Sequence, residues 1–372
     1  MTQPDNFGFT EEAALLKDSA RKLLAEKFTA DVLHGMVAGD PTPERGPALH
    51  WDEALWAQMQ ELGWGLLAVP EAQGGVGMPL VAVAGLCEEL GRAAFPCPLL
   101  PTLSASYLLG AAGAGGEAPL EAIAEGATAS LAVSDANGSW DLSQTPVECI
   151  DGKLNGTACF VQDIGKVSHL LVCARNGDTT GLYWLAVDAP GVDVQADAIV
   201  DLSRDQGRVV FAGVEAMQVC ADASAAFARS MPAIWTLYAA DMVGAGEWQL
   251  QTTVDYANQR QQFDRPLGFF QAVKHQLVDV MVDIDRAKSL VYSAACAWDT
   301  EPEEAARYAH MAQSAASDMA ASASSRSVQC HGGIGFTWEC FVHLFFKRQK
   351  HSQMLWGDGP WHRARLASIV MG

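Results

Sequence analysis

The stretch Arg260–His275 constrains the fold most, because it separates two long segments with helical periodicity. One segment enters it from Trp235. The segment that leaves it has apolar residues at Leu277, Val280, Met281, Ile284, Ala287 and Leu290. Spacings of three and four residues are typical of an amphipathic helix. Pro266 and Gly268 interrupt the periodicity, so the sequence predicts a tight turn between two long helices packed as a hairpin.

The predicted turn is rich in groups that recognise phosphate. It contains cationic, amide and aromatic side chains, namely Arg260, Phe263, Arg265, Gln271 and Lys274. Guanidinium forks and amides suit phosphate oxygens, and a ring suits an aromatic base. The chain has 24 Lys and Arg against 44 Asp and Glu. A local positive patch in so acidic a chain indicates an anionic ligand at the turn.

Two motifs give the chain a family resemblance. The turn resembles the Arg-x-x-Phe-Gly-x-Pro-(Ile/Leu)-x-x-(Phe/His)-Gln segment of acyl-CoA dehydrogenases. Downstream, Gln329–Thr337 is similar to that family's Gln-x-x-Gly-Gly-x-Gly-(Phe/Tyr) segment. The resemblance implies an α+β fold with an N-terminal helical domain (residues 1–128), a middle β-barrel or sandwich domain (129–218) and a C-terminal four-helix-bundle domain (219–372).

The helical and strand patterns along the sequence agree with that division into domains. Helical periodicity covers Phe9–Phe28, Trp51–Leu62 and Pro79–Ala94, and an Ala-rich helix is predicted at Glu303–Arg326. Short runs of β type lie between these regions, at Ala129–Val133, Val147–Ile150, Cys159–Val161, His169–Ala174, Leu182–Val187 and Arg208–Phe211. Asn-Gly and Asp-Gly turns punctuate the runs, as in a β-barrel or sandwich.

Composition excludes several classes of protein. A net charge of −20 argues against nucleic acid or an anionic membrane as a partner. No apolar run reaches the ~20 residues that a membrane span requires. The nine cysteines show neither Cys-x-x-Cys pairs nor zinc spacing with histidine, so we expect no metal and reduced thiols. We expect a cytoplasmic protein without a signal peptide.

The resemblance implies FAD, held by residues from two regions. At the ADP end, the turn would reach across a subunit interface to the pyrophosphate of a neighbour's FAD. The matching positions are Arg260, Phe263, Gln271, Gln329, Gly332 and Gly333. At the flavin-ring end, the sequence departs from the family's motifs. Phe160 could still stack on the flavin, and Gln162 could replace a Thr hydroxyl. Asp264 also stands where the family has Gly.

The usual catalytic base is missing from the sequence. In the family, a Glu removes the α-proton of an acyl-CoA while the β-hydride moves to the flavin. The two usual Glu positions correspond here to Trp356 and Val254. Glu247 and, less favourably, Asp358 are candidate replacements. Alternatively Glu247 is an ion-pair partner, Asp358 is a turn residue, and the chain has no base.

These features support one main hypothesis and two alternatives. The main one is an acyl-CoA dehydrogenase, or a subunit of one, that introduces an α,β double bond into a CoA thioester. It would be a half-site chain of an α2β2 heterotetramer or a homotetramer that uses Glu247, with an electron-transfer flavoprotein as acceptor. The alternatives are a non-redox acyl-CoA-binding or scaffolding subunit and a related flavin monooxygenase.

Overall fold

Helices form the first part of the chain. The computed structural model describes residues 3–4, 6–38 and 51–372. The helices are α1 (Glu11–Lys27), α2 (Ala30–Val37), α3 (Glu53–Glu61), α4 (Leu80–Ala93), α5 (Leu99–Ala111) and α6 (Glu117–Ala124). Thr10 caps α1, since its hydroxyl oxygen accepts a hydrogen bond from the backbone N–H of Ala13. The three predicted helices of this region are confirmed as α1, α3 and α4.

An eight-stranded, mainly antiparallel sheet follows. Its strands are β1 (Ala129–Ala132), β2 (Val147–Ile150), β3 (Lys153–Gln162), β4 (His169–Asn176), β5 (Thr179–Ala186), β6 (Val192–Ala196), β7 (Gln206–Glu215) and β8 (Met217–Cys220). The order is β6-β7-β3-β2-β4-β5-β8, with β1 paired to β4. All six predicted β-type runs coincide with strands, except that two of them extend one residue too far, to Val133 and to Val187. The edge strands β6 and β8 were missed, because they are short and mostly exposed and therefore lack an apolar pattern.

Long helices form the C-terminal part. They are α7 (Ser224–Gln259), α8 (Gln271–Thr300), α9 (Ala305–His331), α10 (Val342–Ser352) and α11 (Gly359–Met371). A two-stranded ribbon of β9 (Gln261–Gln262) and β10 (Arg265–Pro266) joins α7 to α8, so the predicted helical hairpin is confirmed. The Ala-rich helix is confirmed as α9 and continues five residues beyond its predicted end, from Arg326 to His331.

One apolar core joins the three regions. It contains residues of α1 and α4, one face of the sheet, and α7 to α10, while a second core lies within the β region. Helices α4 and α7 cross with their backbones in contact, since a Cβ added to Gly91 would overlap the carbonyl of Asp241, and one added to Gly244 would overlap that of Glu88. The glycines therefore bring the charged side chains of α4 against α7.

Three findings concern membrane spans, metal sites and cysteines, which the sequence analysis considered. In the part of the chain that the structure describes, no helix combines the length and the apolarity of a membrane crossing. Across residues 3–4, 6–38 and 51–372, no three His, Cys, Asp or Glu side chains are grouped as a metal site requires. All nine cysteines are free thiols. Four of them are buried and five are partly exposed.

Candidate active site

A small cavity lies where the sheet meets the C-terminal helices, and it brings together Phe160, Gln162 and Trp356 from the sequence analysis. Its lining residues are Pro101, Ser104, Ser130, Leu131, Trp140, Phe160, Gln162, Tyr238 and Trp356. The volume is about 10 Å³. That is room for about one water molecule.

A β-bulge presents Phe160 to this cavity. The register between β3 and β7 shifts between Ala158 and Val161, and Phe160 adopts a left-handed backbone with φ 57°. A bulge re-aims the side chain it carries, which explains how an aromatic residue of a paired strand lines a cavity.

Gln162 is held by a chain of polar groups. Its Nε2 donates to the carbonyl of Phe160 at 2.9 Å and to Oε1 of Gln206 at 2.9 Å. The same Gln206 oxygen lies 3.1 Å from Nε2 of His351 on α10. The Oε1 atom of Gln162 is buried and accepts no hydrogen bond from the described residues.

Trp356 fills the position that the resemblance assigns to the catalytic Glu. The residue is 2% exposed and has a left-handed backbone with φ 62°. Its ring centroid lies 4.4 Å from that of Trp140 and 6.3 Å from that of Tyr238. The next residue, Gly357, packs against the indole of Trp361, so a side chain there would collide with that ring. The loop thus holds an apolar ring where a carboxylate would be needed.

The cavity contains no general base. None of the nine side chains that line it is a carboxylate or an imidazole. Burial raises the pKa of Tyr238 to about 12, so its hydroxyl stays protonated at neutral pH. Asp241, three residues further along α7, accepts from Nη2 of Arg204 at 2.6 Å and from Nη2 of Arg348 at 2.5 Å. With both oxygens bound to guanidinium groups, Asp241 is unsuited to accept a proton.

Glu247 belongs to an ion-pair network at the other side of α7. Lys288 donates to its Oε1 at 2.7 Å, and Arg92 forms a second ion pair with it. Lys288 also donates to Glu88 at 2.9 Å. Glu247 lies nine residues after Tyr238, which places it ~14 Å along the helix axis and on the opposite face. The structure therefore does not bring Glu247 to the cavity.

Asp358, the second candidate base, and Val254, which matches the family's other Glu position, do not line the cavity either. Asp358 accepts a hydrogen bond from the backbone N–H of Trp361 at 2.9 Å and caps α11. Val254 lies sixteen residues after Tyr238, about 24 Å further along α7. A side chain at 254 therefore does not reach the cavity, and the match of Val254 to the family's second Glu position stays a prediction.

A larger groove opens outside the cavity, and Trp140 lines both. Its volume is about 590 Å³. The apolar part of its lining comes mainly from Trp140, Leu142, Phe227, Met231, Trp235 and Trp361, and the charged part from Asp141, Asp178, Asp222 and Arg365. Three carboxylates against one guanidinium leave an excess of two negative charges. A ligand with several phosphates, such as a CoA thioester, would be repelled at this rim.

The residues predicted for the ADP end gather at the far end of α7. Tyr256 on α7 stacks on His331 of α9, with ring centroids 4.3 Å apart. Arg326 of α9 donates to the carbonyl of Gln276 on α8 at 3.2 Å. These contacts join the ends of the three helices and form one surface, which carries Arg260, Phe263, Gln271, Gln329, Gly332 and Gly333. All six residues are exposed.

This ADP surface fits a nucleotide. A Cβ added to Gly332 or Gly333 would meet no atom within 4 Å, so a phosphate can approach the backbone there. Phe263 and Asp264 both have positive φ, at 54° and 58°, in the two-residue turn between β9 and β10. The turn leaves the ring of Phe263 88% exposed. The cavity at the other end does not fit a flavin ring, because Trp140 and Trp356 leave about 10 Å³.

Trp140, Tyr238 and Asp241 were not singled out from the sequence. Trp140 is a large apolar residue in a loop of Asp, Asn, Gly and Ser, which could have drawn attention to it. Tyr238 and Asp241 lie inside a long apolar segment and give no such signal.

Two family models match most of the chain. The acyl-CoA dehydrogenase N-terminal domain matches residues 10–116, and the acyl-CoA dehydrogenase C-terminal domain matches residues 236–371. Acyl-CoA dehydrogenase IpdE2 of Mycobacterium tuberculosis is 32% identical over 346 residues, covering 93% of each chain. IpdE2 of Mycolicibacterium smegmatis is 29% identical, covering 97% of this chain and 99% of that protein.

Solved structures share the fold along the whole chain. A variant of the Tcur3481-Tcur3483 steroid ACAD is 29% identical, with a TM-score of 0.85, and the match covers 97% of this chain and 98% of that one. The ChsE4-ChsE5 complex from Mycobacterium tuberculosis has a TM-score of 0.86 at 23% identity, with 98% of each chain covered. The second likeness shows the fold alone.

Proposed function

The chain belongs to the acyl-CoA dehydrogenase family of FAD-dependent oxidoreductases, and we propose that it is the non-catalytic subunit of a heteromeric acyl-CoA dehydrogenase. In this proposal it supplies the ADP surface, from Arg260 to Gly333, to the FAD of a related partner chain. The partner supplies the flavin-ring pocket and the base that removes the α-proton. The assembly acts on a CoA thioester.

The observation that carries the proposal is the packing of Trp356 against Trp140. In this proposal the pair stands in the place of the base, and the cavity beside it has a volume of about 10 Å³. The carboxylates at 247 and 358 make other contacts, one in an ion-pair network and one as a helix cap. We infer that a chain built in this way relies on its partner for the proton acceptor and for the substrate site.

The ADP surface supports the second half of the proposal. Phe263 is bulky, has a left-handed backbone and is 88% exposed. Both features are unfavourable in an isolated chain, since left-handed backbone costs roughly 1–2 kcal/mol for a residue with a side chain. A ligand or partner at this surface would offset that cost by covering the ring.

The relatives suggest the kind of assembly and substrate. Two of the structural neighbours are named after two different chains, Tcur3481-Tcur3483 and ChsE4-ChsE5. The first of these is described as a steroid ACAD. We propose that this chain is also one subunit of a heteromer. The substrate of that heteromer would be a CoA thioester with a bulky, ring-containing acyl group. Reduced flavin would pass its electrons to an electron-transfer flavoprotein.

The flavin content of the purified protein tests the proposal. The chain is purified alone and with a co-expressed, related acyl-CoA dehydrogenase chain, and the visible spectrum gives the flavin-to-protein ratio. We expect little flavin alone and about one FAD for every two chains in the assembly, since each FAD would lie between two unlike subunits. One FAD per chain when purified alone would contradict the proposal. A colourless assembly would favour the non-redox alternative.

Single-residue variants of this chain test whether Arg260 contributes to flavin binding in the assembly. Arg260→Gln should lower the flavin content of the assembly, because a cationic contact to the pyrophosphate is lost. Arg286→Gln is the matched control, as Arg286 is an exposed arginine of α8 paired with Asp283. Equal flavin loss in both variants would show that Arg260 has no specific role.

A further inference from the structure

A second cavity lies between α1, α4, α7 and α10, away from the candidate active site and the ADP surface. Its volume is about 250 Å³. The lining residues are Arg21, Leu24, Ala25, Phe28, Thr29, Ala30, Glu89, Arg92, Ala93, Trp248 and Phe345. This set combines two guanidinium groups with a mainly apolar wall, and none of its residues takes part in the function proposed above.

A buried carboxylate holds both guanidinium groups in place. The side chain of Glu89 is 1% exposed. Arg21 donates to it through Nε at 3.0 Å and Nη2 at 2.7 Å, and Arg92 donates through Nε at 3.1 Å. Arg92 also pairs with Glu247, and the whole network sets four cations (Lys17, Arg21, Arg92 and Lys288) against three carboxylates (Glu88, Glu89 and Glu247), which leaves one positive charge. The groups are fixed before any ligand arrives, which lowers the entropic cost of binding.

Donors remain free for a ligand. Among the described residues, neither Nη1 of Arg21 nor Nη1 of Arg92 has a hydrogen-bond acceptor. Helix α2 begins at Ala30, beside the cavity, and the first N–H groups of a helix carry partial positive charge. Three sources of positive potential therefore meet in a chain whose net charge is −20.

The opposite wall is apolar and includes a stacked aromatic pair. Trp248 of α7 stacks on Phe345 of α10, with ring centroids 3.7 Å apart and planes 7° apart. Leu24 and Phe28 of α1 extend this wall. A cavity of about 150 Å³ accommodates benzene, so one of 250 Å³ has room for two fused rings.

We propose that this cavity binds a small carboxylic acid with a flat, ring-containing apolar body. The carboxylate would accept from the free Nη1 groups of Arg21 and Arg92, in the planar geometry that guanidinium favours. The rings would pack against the edge or the outer face of the Trp248–Phe345 stack. The site is independent of the proposed non-catalytic role, since it uses neither the ADP surface nor the cavity of Trp356.

Calorimetric titration of the full chain, alone and in its assembly, tests this site. The probes are 2-naphthoate, the neutral 2-naphthamide and 2-naphthyl phosphate. We expect 2-naphthoate to bind tightest, and Arg21→Gln to weaken it by about tenfold or more, because a charge-assisted hydrogen bond is lost. The variant should leave 2-naphthamide unchanged. Arg307→Gln is the control, since Arg307 forms an exposed pair with Glu304.

A second variant tests the location without touching charge. Ala25 lies at the exposed edge of the cavity, so Ala25→Trp should fill the mouth and abolish binding of 2-naphthoate while the thermal unfolding midpoint stays within a few degrees. Binding that survives Ala25→Trp, or that is equal for the acid and the amide, would overturn the proposal. Tighter binding of 2-naphthyl phosphate would overturn its assignment to a carboxylate.

Discussion

Trp356 and Trp140 form an aromatic pair across the boundary between the C-terminal helices and the middle sheet, with ring centroids 4.4 Å apart and planes inclined by 38°. Both rings line the cavity of about 10 Å³, and Trp140 also lines the groove of about 590 Å³. In our proposal Trp356 stands at the position of the family's base, so that one side chain would both replace the proton acceptor and fill the space beside it.

Trp356→Phe tests whether the pair is structural. The smaller ring loses part of an aromatic contact and leaves a void, so we expect a loss of about 1–3 kcal/mol in the free energy of unfolding. Turnover per bound FAD in the assembly should not change, because this chain has no catalytic site in our proposal. Urea unfolding and steady-state rates measure the two quantities. A tenfold fall in turnover of a fully folded assembly would show that Trp356 acts in catalysis.

Phe263→Asn should have opposite effects on the stability of the isolated chain and on the flavin content of the assembly. Asn tolerates a left-handed backbone better than Phe, and the change removes an exposed ring, so the isolated chain should gain about 0.5–1 kcal/mol in stability. The assembly should lose flavin, because the exposed ring is proposed to contact it. Leu15→Gln, at an exposed apolar residue of α1, is the control for apolar loss alone. A Phe263→Asn assembly that keeps its flavin would exclude the ring from the cofactor site.

The sequence predicted the architecture well for a physical reason. Helix and strand periodicities are local properties of the sequence. The turn of the helical hairpin is indicated by Pro266 and Gly268, which lie close together in the sequence. The misses are the edge strands β6 and β8. Their side chains are mostly exposed, and a strand without a buried face has no apolar alternation to detect.

The site was less accessible to sequence reasoning, because its contacts join distant residues. Glu247 could be either a base or an ion-pair partner until Lys288, 41 positions later, was placed beside it. The closure of the cavity likewise depends on Trp140 and Trp356, which come from separate regions. Motif resemblance brought Phe160, Gln162 and Trp356 into consideration, but no pattern in the sequence gives the volume between them.

Glu247→Gln distinguishes a base from an ion-pair partner. The amide cannot neutralise Lys288 or Arg92, so we expect a loss of about 1–3 kcal/mol in the free energy of unfolding. Turnover of the assembly should be retained. A base would show the opposite pattern, with turnover reduced by roughly 10²–10⁴ at nearly constant stability. Glu304→Gln breaks an exposed pair with Arg307 and should change stability by less than about 1 kcal/mol.

Asp241→Asn should be among the most damaging isosteric changes in the chain. Asp241 is 2% exposed and neutralises Arg204 and Arg348, which are themselves buried. Removing its charge leaves two buried guanidinium groups with one nearby buried carboxylate, Asp201, at a cost of about 3–5 kcal/mol. Asp318→Asn, in an exposed pair with Arg363, should cost less than about 1 kcal/mol. Similar losses in the two variants, measured by urea unfolding, would show that the buried cluster is not stabilising.

A buried histidine pair should make the chain sensitive to acid. Nδ1 of His310 on α9 lies 2.8 Å from Nδ1 of His362 on α11, so one nitrogen donates and the other accepts. Burial lowers the pKa of His310 to about 4 and that of His362 to about 3. The unfolded histidines take up protons near pH 6.5, and the folded ones do not. The histidine contribution to stability is therefore fully present above pH 6.5 and falls as the pH drops from 6.5 towards 4, by about 3 kcal/mol for each histidine.

Urea unfolding at several pH values measures this slope, and His310→Gln should remove about half of it, because one of the two suppressed protonations is gone. His275→Gln, at an exposed position of α8, should leave the slope unchanged. Since the pair joins α9 to the helix that follows the Trp356 loop, acid should also loosen that loop, which a change in tryptophan fluorescence between pH 6.5 and 4 would report. An unchanged slope in His310→Gln would mean that other groups cause the acid sensitivity.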